Sequence, residues 1–125
     1  MQFSTLLRNA ELDAIATELG VGGTLKFYTG SSPGVGVGAT GTLLCTLTGV
    51  TFAAAAAGAV SFTSTADSSA AASGTPGYGR FATSGGTAKI DVTAGVGSGE
   101  ANFTGAVALG GSVTETSGVI TAGNA

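Results

Sequence analysis

Near the start of the chain, apolar side chains return with a helical period. From about Ser4 to Leu19 the residues are good helix formers, and Leu12, Ile15, Ala16 and Leu19 fall at i, i+3, i+4 and i+7. Ser4 or Asn9 is the expected N-cap; if Asn9, then Glu11 and Asp13 sit near the positive end of the helix dipole. Gly20 is the expected stop, and Gly22-Gly23 bars continuation. The apolar stripe predicts that this helix docks, either on the domain's own sheet or on a neighbouring subunit.

After Gly23 the period changes from helical to alternating. In Thr24 to Thr29, Leu25 and Phe27 share one face while Lys26 and Tyr28 share the other. Thr42 to Thr48 reads as a strand with more apolar positions than strict alternation allows. Ala59 to Thr63 alternates with Val60 and Phe62 inward. Tyr78 to Thr83, Ala88 to Val92, Ala101 to Ala108, and a last pair around Val113 and Val119-Ile120 complete the set. Gly, Ser, Pro and Asn punctuate these runs, and no second helical pattern separates them, so parallel βαβ units are not expected. The reading is mainly β: an antiparallel β-sandwich or barrel of about seven or eight short strands with one short N-terminal α-helix. Residues 1–22 hold the docking helix and residues 23–125 the β-sandwich, in a single domain overall.

Composition narrows the chemistry. The 125 residues contain no histidine, four Lys or Arg, seven Asp or Glu, and 23 glycines. Histidine is the usual side chain that titrates near neutral pH, so acid–base catalysis has few starting materials here, and no catalytic residue is assigned. The net charge of −3 and the scattered Arg8, Lys26, Arg80 and Lys89 argue against nucleic acid. Mean hydropathy is +0.46, but it comes from Ala, Val and Gly spread along the chain. The longest weakly polar run, Gly49 to Phe62, falls short of the roughly 20 apolar residues a spanning helix needs, so no membrane partner is expected. Met1 to Thr5 leads into mixed sequence with no basic segment and apolar stretch, so no secretory signal is read. Cys45 has no partner for an internal disulfide and reads as a small apolar filler on a strand.

Several patterns imitate functional motifs. Gly36-Val37-Gly38-Ala39-Thr40-Gly41 matches G-x-G-x-x-G, yet a loop with Pro33 precedes it and a β-type run follows, so no cofactor is expected. Asn102-Phe103-Thr104 fits the glycosylation tripeptide without a secretory context. Asp67, Asp91, Glu100 and Glu115 lie far apart in sequence, and no metal-ligand spacing occurs among them. In Gly77-Tyr78-Gly79-Arg80-Phe81, the aromatic and arginine side chains give a candidate ligand face of Tyr28, Tyr78 and Arg80. The plainer reading is a strand with Tyr78 and Arg80 on one side and Phe81 in the core. Ser31 to Thr40, Ser64 to Gly77 and Ala53 to Ala57 are rich in small residues and nearly free of charge. One reading of these segments is plain disorder; with 9% charged residues in the chain, against about 25% in a typical domain, the favoured expectation is that they lie against other protein.

The stretches Leu7 to Ile15 and Gly23-Thr24-Leu25-Lys26-Phe27-Tyr28-Thr29-Gly30-Ser31 with Pro33 resemble small structural proteins of tailed phages and prophages. The Leu43 to Leu47 strand, the Gly-Tyr-x-Arg-Phe segment at Gly77 to Phe81 and a Ser/Thr/Val-rich ending extend the resemblance. Glu115-Thr116-Ser117-Gly118 departs from the alternating ending of such proteins. The resemblance implies a non-enzymatic virion protein made in the host cytoplasm, most simply a capsid decoration (cement) protein. A tail-associated role or a module binding a host glycan or receptor is the alternative. The implied partners are the major capsid protein and copies of the chain itself, as a homo-oligomer on the particle. The low charge and small residues of the helix and of the Ser31 to Thr40 loop make Leu12, Ile15, Leu19, Pro33, Val35 and Val37 the interface candidates.

Overall fold

The computed structural model describes residues 4–20, 22–65, 67, 69–96, 101–103, 107–111, 113 and 117–121. The first element, α1 (Thr5–Leu19), is capped by Ser4, whose extended backbone lets its side chain accept the Leu7 N–H at 3.2 Å. Gly20 ends the helix and returns its N–H to the Ala16 carbonyl. Asn9 is not the cap. Its side-chain oxygen accepts the Gly58 N–H, and one turn on Asp13 accepts the Ala55 N–H, each at 2.9 Å. These i, i+4 side chains fasten the helix to the alanine-rich segment before the third strand.

Seven strands follow: β1 (Thr24–Tyr28), β2 (Leu43–Phe52), β3 (Ala59–Thr65), β4 (Tyr78–Ala82), β5 (Ala88–Val96), β6 (Ala101–Phe103) and β7 (Ser117–Thr121). They close a barrel in the order β1-β2-β3-β7-β6-β5-β4, so of the two expected architectures the chain takes the barrel. Six strands run antiparallel through β7-β3-β2-β1-β4-β5. The three-residue β6 bridges the remaining gap, parallel to β5 and antiparallel to β7. Closure removes the open edges that an antiparallel sheet otherwise exposes. Val107 and Val113, expected within strands, form isolated bridges to Gly74 and Asp67 instead.

The interior is filled by Leu25 and Phe27 of β1, Cys45 and Leu47 of β2, Val60 and Phe62 of β3, Phe81 of β4, Val92 of β5 and Ile120 of β7. Phe81 meets Phe62 edge-on at 5.0 Å between ring centroids and Phe52 at 5.5 Å, the geometry aromatic quadrupoles favour. Gly79 stands opposite Phe27 across the β1–β4 ladder, and a Cβ there would press on the Phe27 ring at 2.9 Å. The missing side chain makes room for the ring.

α1 closes one end of this barrel with Leu12 and Leu19, both buried. The helix stripe is therefore satisfied by the chain's own core, which corrects the assignment of these two leucines to an external interface. Ile15 is half-buried beside them. At the opposite end, residues 67 and 69–74 run antiparallel to 107–111 and 113: the Ala70 N–H donates to the Gly111 carbonyl, the Gly110 N–H donates to the Ala70 carbonyl, and Asp67 and Val113 exchange main-chain bonds. This ribbon also explains the surplus of apolar residues in β2. A register shift between Phe27 and Tyr28 turns the Leu44 carbonyl away from β1, and the Ala71 and Ala72 N–H groups take it up. Leu44 is thereby buried on one face while Cys45 is buried on the other, which abolishes the alternation. The segments expected to cover other protein, Ala53 to Ala57 and Ser64 to Gly77, are in part spent on the chain's own barrel. Small side chains serve here because main chain packs directly on main chain.

Candidate functional site

Strand β4 is buried at all five positions, although it borders solvent on its outer side by topology. Its inward residues are Gly79 and Phe81; its outward residues, Tyr78 and Arg80, are covered by residues 30–41, the connection from β1 to β2. The neck of this loop is pinched. Thr29 N–H donates to the Thr42 carbonyl at 3.1 Å, and Thr42 N–H donates to Thr29 Oγ1 at 2.9 Å. Gly41 sits in this neck at φ +81, where any Cβ would collide with the Thr29 carbonyl oxygen. Ends held close with a body folded on the surface make an Ω-loop.

Arg80 is the fastener. Its side chain is 8% exposed, and the guanidinium makes four hydrogen bonds. Nε reaches Asp91 Oδ1 at 2.7 Å and Nη2 reaches Asp91 Oδ2 at 2.9 Å, a two-pronged ion pair across the β4–β5 ladder. Nη1 donates to the Val37 carbonyl at 2.8 Å, and Nη2 also donates to the Gly34 carbonyl at 2.9 Å. Ser32 donates its hydroxyl to Asp91 Oδ2 and accepts the Gly34 N–H at 3.1 Å. Tyr78 completes the set: its hydroxyl donates to the Thr40 carbonyl at 2.7 Å and accepts the Thr40 N–H at 3.0 Å. Tyr28 stacks on Tyr78 at 5.2 Å with planes 14° apart.

A buried ion pair is a poor way to gain stability, because desolvation consumes most of the attraction. This one also holds the loop main chain against β4, through the Gly34 and Val37 carbonyls. With its main chain turned inward onto Arg80, the loop directs Val35 and Val37 to solvent, 43% and 56% exposed, with Pro33 half-buried. Of the six interface candidates, the loop residues are therefore displayed, whereas Leu12 and Leu19 are not. Of the ligand-face candidates, Tyr78 and Arg80 are occupied by the chain's own loop, and only Tyr28 retains partial exposure. The G-x-G-x-x-G run lies in this loop ahead of strand β2, with no helix N-terminus behind it.

The same contacts set the electrostatics. The Arg80 hydrogen bonds hold the Asp91 carboxyl below the usual carboxylate range, with Ser32 adding to them and burial opposing. Asp67 is lowered by the Thr46 N–H and then the Ser69 N–H, at 2.9 and 3.0 Å. Burial pushes the Cys45 thiol up to about 12, so it is an inert filler. Both carboxylates bind their protons less tightly folded than unfolded. Their stabilisation is complete above the ordinary aspartate value of about 3.9 and is lost as pH falls through the lowered folded values. Unfolding midpoints are expected to be level near neutrality and to decline on acidification below that value. A decline no steeper in the native protein than in Asp91→Asn would contradict the assignment.

Among the described residues, no three His, Cys, Asp or Glu side chains gather where a metal ion could sit, and no helix is long and apolar enough to cross a membrane. Glu100, Glu115 and Thr104 of the glycosylation tripeptide lie outside the described residues. Sequence reasoning missed Asp91 as the partner of Arg80. A signal was present: in a chain so poor in charge, one arginine and one aspartate stand amid apolar neighbours on consecutive runs, Tyr78 to Thr83 and Ala88 to Val92. It missed the anchoring roles of Asn9 and Asp13 as well, since a bond to a main chain some forty residues away leaves no local pattern. Compared with protein-family models, curated proteins and solved structures, the chain matches none of them.

Proposed function

We propose that this protein is a non-enzymatic structural subunit of a tailed-phage particle, most simply a capsid decoration protein that binds the major capsid protein and neighbouring copies of itself. The observation that carries the reading is the clamped loop. A buried Arg80–Asp91 pair is devoted to fixing a glycine-rich, uncharged surface segment whose valines point outward. Rigid segments bind at lower entropic cost than mobile ones, and a loop fixed before contact is suited to a repeated protein surface. A barrel without open strand edges, closed by its own helix, suits a passive load-carrying subunit. Repetition on a lattice makes modest contacts sufficient through avidity.

Undecorated tailed-phage heads mixed with the purified protein are expected to bind it to saturation at a fixed ratio to the shell subunit. Val35→Glu together with Val37→Glu places two charges on the exposed tip without touching the clamp, and is expected to reduce occupancy at least tenfold while leaving unfolding midpoints unchanged. Saturable binding that ignores both substitutions removes the loop from the contact. Absence of binding by the native protein removes the decoration reading itself.

A further inference from the structure

Helix α1 is a self-contained piece joined to the barrel through glycine. It carries its own N-cap in Ser4 and its own stop in Gly20. The barrel side begins at Gly23, whose carbonyl accepts the Val50 N–H at 3.2 Å. Between the two, Gly20 and Gly22 turn the chain back with φ of +68 and +81. A Cβ at Gly20 would meet no described residue within 4 Å, and one at Gly22 would meet only Ser84 Cβ at 3.5 Å. The reversal of the backbone, and not crowding, is what requires glycine at this joint.

The seat of α1 on the barrel end is narrow but specific. Leu12 and Leu19 are its buried side chains, while Leu6 and Leu7 of the first turn stand exposed. Grooves of about 270 and 540 Å³ flank the helix, one against Lys89 and Ile90 of β5 and the other against Val50 and Phe52 of β2. An element with so few buried apolar contacts opens at a lower free energy than the whole domain. The polar contacts give the seat its specificity. Asn9 and Asp13 accept the main-chain N–H groups of Gly58 and Ala55 at 2.9 Å, and Glu18 faces Lys89 at 3.8 Å. The Arg8 guanidinium lies over Gly58, where any Cβ would collide with it.

We propose that α1 is exchangeable: where copies are crowded, the helix of one copy takes the seat on the barrel of a second copy, which returns its own. The seat selects this occupant, because an exchanged helix remakes every contact just named. Those contacts cancel between the closed and exchanged forms, which leaves the joint and the concentration to set the balance. A short tether holds a segment at an effective concentration of about millimolar, so dilute protein is closed and monomeric. The proposal rests on the assembly reading above for the place where crowding arises, side by side on a particle. In both forms Leu12 and Leu19 are buried by a barrel of the same sequence, so they report on folding in either.

The test uses two full-length variants, Glu18→Cys and Lys89→Cys, whose positions face each other across the seat, joined by a short bis-maleimide. Cys45 does not compete, being buried with its thiol pushed up to about 12. Mixed dilute, the two are expected to stay unlinked. Incubated together at about millimolar concentration, they are expected to give a covalent heteropair at least several-fold above Glu18→Cys mixed with Thr63→Cys, on the exposed face of β3. Gly20→Val with Gly22→Val strains the turned joint without a clash and is relieved when the joint extends. It is expected to form dimers on gel filtration at a concentration at least tenfold lower than the native chain, and to raise the heteropair yield. A heteropair at the Thr63→Cys level, or a dimer that forms without the heteropair, overturns the proposal. Should the glycine variant fail to fold, the pair with the native joint decides alone. If heteropairs form and phage heads stay bare, exchange stands and decoration falls; if heads are decorated and no heteropair forms, exchange alone is lost.

Discussion

Arg80→Ala is expected to lower the unfolding free energy by about 3–5 kcal/mol, the range measured when one partner of a buried pair is removed. The loss exceeds that of an ordinary surface ion pair for a specific reason. Truncation leaves the Asp91 carboxylate, whose side chain is 9% exposed, buried without its counter-charge, and it orphans the Gly34 and Val37 carbonyls. Arg80→Lys is expected to rescue little, because one ammonium cannot replace a planar fork directed at a carboxylate and two carbonyls. Urea unfolding gives the magnitude, and limited proteolysis gives the location. New cleavage between Gly30 and Gly41 under native conditions is the signature of a released loop. A loss below about 1 kcal/mol, the scale of exposed pairs, with no new cleavage would show that Arg80 is not the fastener.

Phe81→Ala, one position along the same strand, is expected to cost a similar amount by a different route. Its ring is fully buried against Phe52 and Phe62, and deleting a buried phenylalanine side chain costs about 3–5 kcal/mol through lost transfer energy and an unfilled cavity. The two variants separate in their local behaviour. Phe81→Ala is expected to lower the global midpoint while the native-state loop stays resistant to protease, since the outer face of β4 is untouched. Loop cleavage equal to that of Arg80→Ala would mean that the interior and the clamp are one cooperative unit.

Outcomes for the helix follow the same logic of which face is already satisfied. Leu12 and Leu19 read from the sequence as anchors to another molecule, because an amphipathic stripe reports only that something covers it. The barrel end covers it here. Charged substitutions at these positions would therefore act on folding and are no measure of assembly, which is why the binding test above uses Val35 and Val37.

What the sequence determined by itself was local. The i, i+3, i+4, i+7 spacing and Gly20 set the helix; alternation in Thr24 to Thr29 and Ala59 to Thr63 set two strands and the inward side of each; the scarcity of ionisable groups limited the chemistry. Even the Ser4 cap was among the two readings that spacing allowed. Tertiary structure decided what depends on register. Whether Arg80 faces a ligand or an aspartate hinges on the β4–β5 pairing that sets it opposite Asp91. Whether Leu44 is exposed hinges on the bulge that brings it beneath residues 70–74. The destination of the uncharged segments was likewise set by long-range main-chain bonds. Periodicity is a property of neighbours along the chain, and it states that a face is buried. The partner that buries it is chosen only when distant strands align, because hydrogen-bond register and side-chain volume are satisfied jointly.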